Sequence, residues 1–248
     1  MDSNRWQDKV AVVTGASSGI GACIAQNLAN SGLTVIGLAR RVELIDDLSK
    51  NVSGNGKIYS RKCDLTNESE VQETFQWIKD NFSGIDVFVN NAGCIKAAFL
   101  LDSPTGDLKQ LFDLNCVSTC VCVREAIRMM REKDDTGHIF IINSVLGHRV
   151  PDVPVPLFSV YPSTKHALTA LCQTVRQEIN FHKLNIKLTS ISPGMVDTDL
   201  LAVYDLSMYA QLPKLQANDV AQAVMYALNT PDHVQIDDIV LQARFQHK

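Results

Sequence analysis

The chain lacks a long apolar run. No stretch approaches the ~18 to 20 consecutive hydrophobic residues that a membrane span requires, and the start, Met1 to Lys9, is polar where a secretory signal carries an apolar core. It also lacks an excess of positive charge: 23 Lys and Arg stand against 27 Asp and Glu, a formal charge of -4. That leaves no basic footprint for nucleic acid as the main partner, and favours a small soluble ligand. No C-x-x-C occurs, and the seven cysteines (Cys23, Cys63, Cys94, Cys116, Cys120, Cys122 and Cys172) are odd in number. Neither a zinc ribbon nor a fully paired disulfide framework fits that pattern. A reducing, cytoplasmic setting is expected. Internal repeats, low-complexity segments and linkers are absent as well. What remains is 248 residues, 46% of them hydrophobic, enough to bury a sizeable core, so one domain over residues 1–248 is expected.

Short apolar, β-branched runs recur at Val10 to Thr14, Thr34 to Leu38, Lys57 to Cys63, Asp86 to Val89, His138 to Asn143, Ile186 to Ile191 and Ile239 to Leu241. Most are continuously apolar, the pattern of strands covered on both faces. Helix-like stretches lie between them: Ile20 to Ser31, Ser69 to Phe82, Asp107 to Arg131, Pro162 to His182 and Ala217 to Asn229. Strand and helix alternate almost from end to end, which predicts an α/β fold: a doubly wound parallel sheet of about seven strands with helices on both faces. One region breaks the rhythm. Met195 to Leu215 is apolar but does not read as a strand.

After the first strand comes Thr14-Gly15-Ala16-Ser17-Ser18-Gly19-Ile20-Gly21, opening an amphipathic helix. Gly15 allows a tight turn, Gly19 a close approach of backbone amides to a pyrophosphate, and Gly21 close helix packing; the helix N-terminus adds partial positive charge. The bland alternative is a glycine-rich turn capped by Ser17 or Ser18. Placement between a buried strand and a helix favours a nucleotide. At the end of the second strand, where an acid would hold the ribose hydroxyl of NAD, stand Ala39-Arg40-Arg41. Two guanidinium groups suit a 2′-phosphate and so favour NADP; alternatively they only solvate the start of a helix. Asp64-Leu65, after the third strand, would meet the adenine edge, or Asp64 would cap a helix, since Thr66 and Glu68 follow.

The fourth strand ends in Asn90-Asn91-Ala92-Gly93-Cys94, a long helix contains Asn115, the fifth strand ends at Ser144, and the next helix opens Tyr161-Pro162-Ser163-Thr164-Lys165. Tyr161 and Lys165, four apart, share a helix face. A cation beside a phenol stabilises phenolate, so this pair is expected to work as an acid/base near neutral pH.

Together with Ser192-Pro193-Gly194, these motifs in this order resemble the short-chain dehydrogenase/reductase family over essentially the whole chain, with its Rossmann-type sheet. The resemblance implies that Tyr161 exchanges a proton with the substrate oxygen, that Lys165 lowers the Tyr161 pKa and binds the nicotinamide ribose, and that Ser144 bonds the substrate carbonyl. Asn115 would hold a water of the proton relay. The cofactor would lie along Gly15, Ser17, Ser18, Gly19, Ile20 and Gly21, with Arg40 and Arg41 at its phosphate, and Asp64 and Leu65 at the adenine. Asn91, Ala92 and Gly93 would line its middle; Pro193, Gly194, Val196 and Thr198 would shape the nicotinamide end. No metal is implied. His148 and His166 have no second ligand at metal spacing, Cys116 and Cys120 read as core, and Cys94 would lie beside the cofactor cavity.

A closer likeness, carried by Asn143-Ser144-Val145-Leu146-Gly147-His148-Arg149-Val150, Lys165-His166-Ala167-Leu168 and Thr230-Pro231, is to the insect farnesol dehydrogenase-like branch and its vertebrate relatives that reduce ketosteroids and other carbonyls. Two features depart from the family. Ser18 stands where many NADP members place a basic residue, and the step of 17 residues from Ser144 to Tyr161 is longer than usual. The added chain, Val150 to Phe158, is stiffened by proline and would wall the substrate site. Met195 to Leu215 would form an apolar flap above it, in addition to packing on the domain. The expected substrate is thus a lipophilic alcohol/carbonyl pair such as farnesol or a related isoprenoid. The alternatives are a broad carbonyl or 3-/17-ketosteroid reductase and a non-catalytic NADP-binding regulator. A homodimer or homotetramer is expected from the resemblance.

Overall fold

The first strand shows how the sheet is buried. In β1 (Val10–Thr14) every residue is buried; Ala11 and Val13 enter the core on one side of the sheet, Val10 and Val12 the core on the other. Side chains alternate across a strand, so a run that is apolar throughout can rest only between two covering layers. The structure, a computed structural model, describes residues 5–133, 136–152, 158, 160–199 and 212–244.

Six further strands join β1: β2 (Thr34–Ala39), β3 (Lys57–Lys62), β4 (Val87–Asn90), β5 (Gly137–Ile142), β6 (Ile186–Pro193) and β7 (Asp238–Leu241). All pair in parallel, in the order β3-β2-β1-β4-β5-β6-β7. The order reverses between β1 and β4, and a sheet of this kind opens its binding crevice beyond the strand C-termini at that point. One face is covered by α1 (Gly19–Asn30), α2 (Glu43–Ser49) and α7 (Ala217–Leu228), where Ile24 and Leu28 meet Val220 and Val224. The other carries α3 (Glu68–Phe82), α5 (Ser118–Lys133) and α6 (Tyr161–Phe181), with Phe75, Met130 and Leu168 among the buried residues. Among the described residues, no helix is long and apolar enough to cross a membrane.

The strand and helix expectations hold to within a residue or two at most ends, with two differences. The helix expected over Asp107 to Arg131 is α4 (Thr105–Phe112), a single π-helical turn at Asp113–Val117, and then α5. Widening to a π turn releases carbonyls from their usual partners, and the hydroxyls of Ser118 and Thr119 bond those of Leu114 and Asn115. The short α2, absent from the helix-like stretches, follows the two arginines, where the start of a helix was the alternative to a phosphate site. Of Met195 to Leu215, residues 200–211 lie outside the described residues. Its two ends come together, Val196 pairing with Leu215 in a parallel bridge. Of Val150 to Phe158, residues 153–157 lie outside them; Phe158 bridges Ala98 in the loop after β4.

Candidate active site

The β1–α1 loop is built to bring backbone close to backbone. Gly15 and Gly19 adopt positive φ, +66° and +56°, and a Cβ on Gly21 would stand 2.3 Å from the Gly15 carbonyl oxygen. Only glycine fits there. Ser18 is the N-cap residue of α1, but its side chain makes no capping bond and no acid occupies the first turn. The capped-turn alternative therefore does not describe this loop; the helix amides are left to an anion, as a pyrophosphate site needs. Asn91 braces the turn, its Nδ2 donating to the carbonyls of Thr14 and Gly15 at 3.0 and 3.3 Å. Thr14 Oγ1 accepts from the amides of Asn91 and Ala92 in return. The Asn91 side chain thus holds the phosphate loop through Nδ2. Across the cleft, Thr198 Cγ2 lies 3.3 Å from where a Gly19 Cβ would be, so the segment after β6 closes over the glycine loop. These features fit a dinucleotide laid across the strand ends.

Arg40 and Arg41, at the end of β2, are exposed. The charge of Arg40 is felt at Asp64 and at Cys94. Asp64 does not cap α3, which is capped by Asn67 accepting from the Ser69 amide. Instead its Oδ1 accepts from the Thr66 hydroxyl and amide at 2.7 and 3.0 Å, and these bonds hold its carboxyl below the ordinary range. Leu65 is buried beside it.

The reaction centre gathers at the ends of β4 and β5 and the start of α6. Ser144 is buried and caps the 3-10 turn Val145–Gly147, accepting from the Leu146 amide at 3.1 Å. The same hydroxyl faces the Tyr161 phenol and draws its pKa down. Lys165 Nζ lies 5.6 Å from the centre of the Tyr161 ring and donates to the Ile142 carbonyl at 3.0 Å. So the structure brings Ser144, Tyr161 and Lys165 together. The expected lowering of the Tyr161 pKa is not found in this arrangement. Burial, then the neighbouring Cys94, push it above its ordinary value of 10.0, and only the Ser144 bond pulls it down. The reason lies with Lys165. It is 7% exposed, and burial lowers its own pKa from 10.5 to about 8 against the opposing pull of Cys116, Cys94 and Cys172; its ammonium is also directed at a carbonyl instead of the phenol. Tyr161 therefore rests protonated.

Asn115 sits in the π turn with its side chain fully occupied: Oδ1 accepts from the Cys94 amide at 2.8 Å, and Nδ2 donates to the Cys94 carbonyl and to Thr164 Oγ1. Thr164 donates on to the Tyr161 carbonyl at 2.8 Å. Thr164 was overlooked in the sequence, although its place three residues after Tyr161 aims a hydroxyl back at that carbonyl. Pro193 is buried and the Gly194 amide donates to the Leu241 carbonyl at 2.7 Å, which fixes the strand end from which Val196 and Thr198 depart.

The short chain dehydrogenase family model matches residues 9–207. The chain is similar to farnesol dehydrogenase of Aedes aegypti, 41% identical over 242 residues that cover 96% of this chain and 97% of that protein. It is also similar to dehydrogenase/reductase SDR family member 11 of Homo sapiens, 40% identical over 249 residues, 96% of this chain and 95% of that one. The fold matches a short chain dehydrogenase from Burkholderia cenocepacia in complex with NADP at a TM-score of 0.85 and 26% identity, over 96% of this chain and 98% of that chain. A further solved neighbour of the fold is a complex with NAD.

Proposed function

This chain belongs to the short-chain dehydrogenase family, and on that premise we propose that it is an NADP-dependent alcohol dehydrogenase/carbonyl reductase acting on a lipophilic substrate such as farnesol or a related isoprenoid. The observation that carries the reading is the convergence of Tyr161, Ser144 and Lys165 beside the uncapped glycine loop. A bound nicotinamide supplies or accepts the hydride, and the chain supplies orientation and the proton. In reduction, Ser144 holds the substrate oxygen and Tyr161 gives it a proton; in oxidation the proton returns. Lys165, 5.6 Å from the centre of the Tyr161 ring, would use the two donors left beyond its Ile142 bond to hold a ribose hydroxyl and to stabilise the phenolate once Tyr161 has given up its proton. With the Asn115 side chain committed to Cys94 and Thr164, the second lone pair of its backbone carbonyl, whose first accepts from Thr119 Oγ1, is what remains to bind a relay water.

The protonated resting state of Tyr161 favours carbonyl reduction, which starts from the acid form. That supports a second reading in the same machinery, a broad carbonyl or ketosteroid reductase. A non-catalytic regulator would have no use for this set of side chains. For the cofactor, Arg40→Ala should raise the Kd of NADP about 10- to 100-fold, the worth of a charge-assisted phosphate bond, and move that of NAD by less than about twofold. Equal losses for both would contradict the 2′-phosphate role of Arg40. For the substrate, Phe158 beside Ala98, and the apolar bridge of Val196 to Leu215, support an apolar pocket wall. In a purified-enzyme panel, farnesol should be turned over faster than any sugar or polyol; equal turnover of a polyol defeats the lipophilic assignment. Exposed Phe112, Val117 and Phe181 support a homodimer or homotetramer, and the free cysteines support a cytoplasmic setting. We read residues 1–248 as a single domain.

A further inference from the structure

His148 closes the turn that begins at Ser144. The turn is fixed to α6 by Thr169 Oγ1, which donates to the Gly147 carbonyl at 2.8 Å and accepts from Asn143 Nδ2 at 2.9 Å. Its other attachment is the imidazole. His148 Nε2 lies 2.8 Å from Asp238 Oδ2 and 2.9 Å from Ser192 Oγ; Ser192 donates to Asp238 Oδ1 at 2.9 Å, and Ser190 lies 3.2 Å from Ser192. A carboxylate only accepts hydrogen bonds, so Nε2 carries the proton and is shared between Asp238 and Ser192. This leaves the ring no part in activating Ser192, because both contacts use the same nitrogen and Ser192 is wholly buried. The arrangement is a tether, not a nucleophile.

What it tethers is specific. The parallel register of β6 with β7 sets Ser190 opposite Asp238 and Pro193 opposite Leu241, so Ser190, Ser192 and Asp238 line one face. Ser192 immediately precedes Pro193-Gly194, where the chain leaves the sheet toward Val196 and Thr198. One imidazole therefore ties the end of the Ser144 turn to the strand end that shapes the opposite wall of the cleft. His148 is one-third exposed and Asp238 one-quarter, so this contact contributes little to global stability. Its value is in geometry, since small displacements of a positioned group cost large factors in rate.

We propose that His148 is a positioning residue that sets the distance between the Ser144 hydroxyl and the nicotinamide end of the cleft, with Ser192 and Asp238 as its anchors. This rests on the proposed dehydrogenase reading. The test compares His148→Leu with His148→Gln, whose amide nitrogen takes the place of Nε2, using the alcohol of the panel that is turned over fastest and NADP. His148→Leu should lower kcat about tenfold, with the Kd of NADP and the melting temperature nearly unchanged, and His148→Gln should recover most of the rate. Should the leucine chain fail to fold, His148→Asn, whose shorter amide stops short of both anchors, takes its place with the same expected loss. Unchanged kcat in the leucine or asparagine variant overturns the proposal, as does a glutamine variant as impaired as they are. Tyr161→Phe is measured alongside. Full turnover there removes the dehydrogenase reading itself, whereas its loss with His148→Leu unaffected removes only the positioning role.

Discussion

Tyr161→Phe abolishes most turnover: kcat falls about 10²- to 10⁴-fold, the range for loss of a general acid/base, while NADPH binding followed by nicotinamide fluorescence changes by less than about twofold. The phenyl ring keeps the volume of the side chain and its contact with Lys165, so the fold and the α6 N-terminus are undisturbed. Only the hydroxyl is lost, and with it the proton for the substrate oxygen. Ser144 retains its bond from the Leu146 amide and stays in place, so the residual rate reports substrate positioning without proton transfer. Because Tyr161 rests protonated, the loss should appear fully in carbonyl reduction at neutral pH. Alcohol oxidation by the wild-type enzyme should speed up as pH rises, since it needs the phenolate, and the phenylalanine variant should lack that rise. A variant with wild-type kcat would remove Tyr161 as the acid/base.

The sheet was readable because each β run had to be buried on both faces, as the alternating assignment of Val10 to Val13 to two cores makes plain. The glycine loop was readable because steric exclusion is local: nothing larger than glycine fits at Gly21. The π turn was not. Asp107 to Arg131 keeps an apolar period through Asn115, and the widening is set by the backbone of Cys94, on another element, which occupies both ends of the Asn115 amide. The short α2 escaped because its single buried residue, Ile45, gives no period to detect; it makes sense only against Gly37 of β2, where a Cβ would crowd it at 3.0 Å. The upward push on the Tyr161 pKa in the cofactor-free chain was not legible for a similar reason. Helical spacing puts Lys165 next to the ring, but only the fold reveals the Ile142 carbonyl that claims its ammonium. The His148 tether depends on the β6–β7 register, a pairing across 46 residues between Ser192 and Asp238, and left no mark in the sequence around Ser144.

Lys165→Met separates activity from stability in opposite directions. Burial holds the folded pKa of Lys165 near 8, against 10.5 ordinarily. Between those values the unfolded chain keeps a proton that the native chain releases, so the lysine makes native stability rise as pH climbs through that window. Below about pH 8 both states are protonated and the full cost of the buried ammonium, about 3 kcal/mol at about 1.4 kcal/mol per pH unit, is present. Methionine removes that cost and the charge-assisted Ile142 bond, worth about 2 kcal/mol. The cofactor-free variant at pH 7 is therefore about 1 kcal/mol more stable, a rise in melting temperature of about 2 to 4 °C for a chain of this size. Its advantage over wild type should shrink steadily from pH 8 to pH 10, while kcat falls about 10²-fold or more for want of a cation beside the phenolate. A functional site that stores instability in this way is expected to gain stability when disarmed. Thermal melts of both proteins across that pH range decide the matter: a variant that melts below wild type at pH 7, or a gap that stays flat between pH 8 and 10, would show that Lys165 is not held as a strained, buried cation.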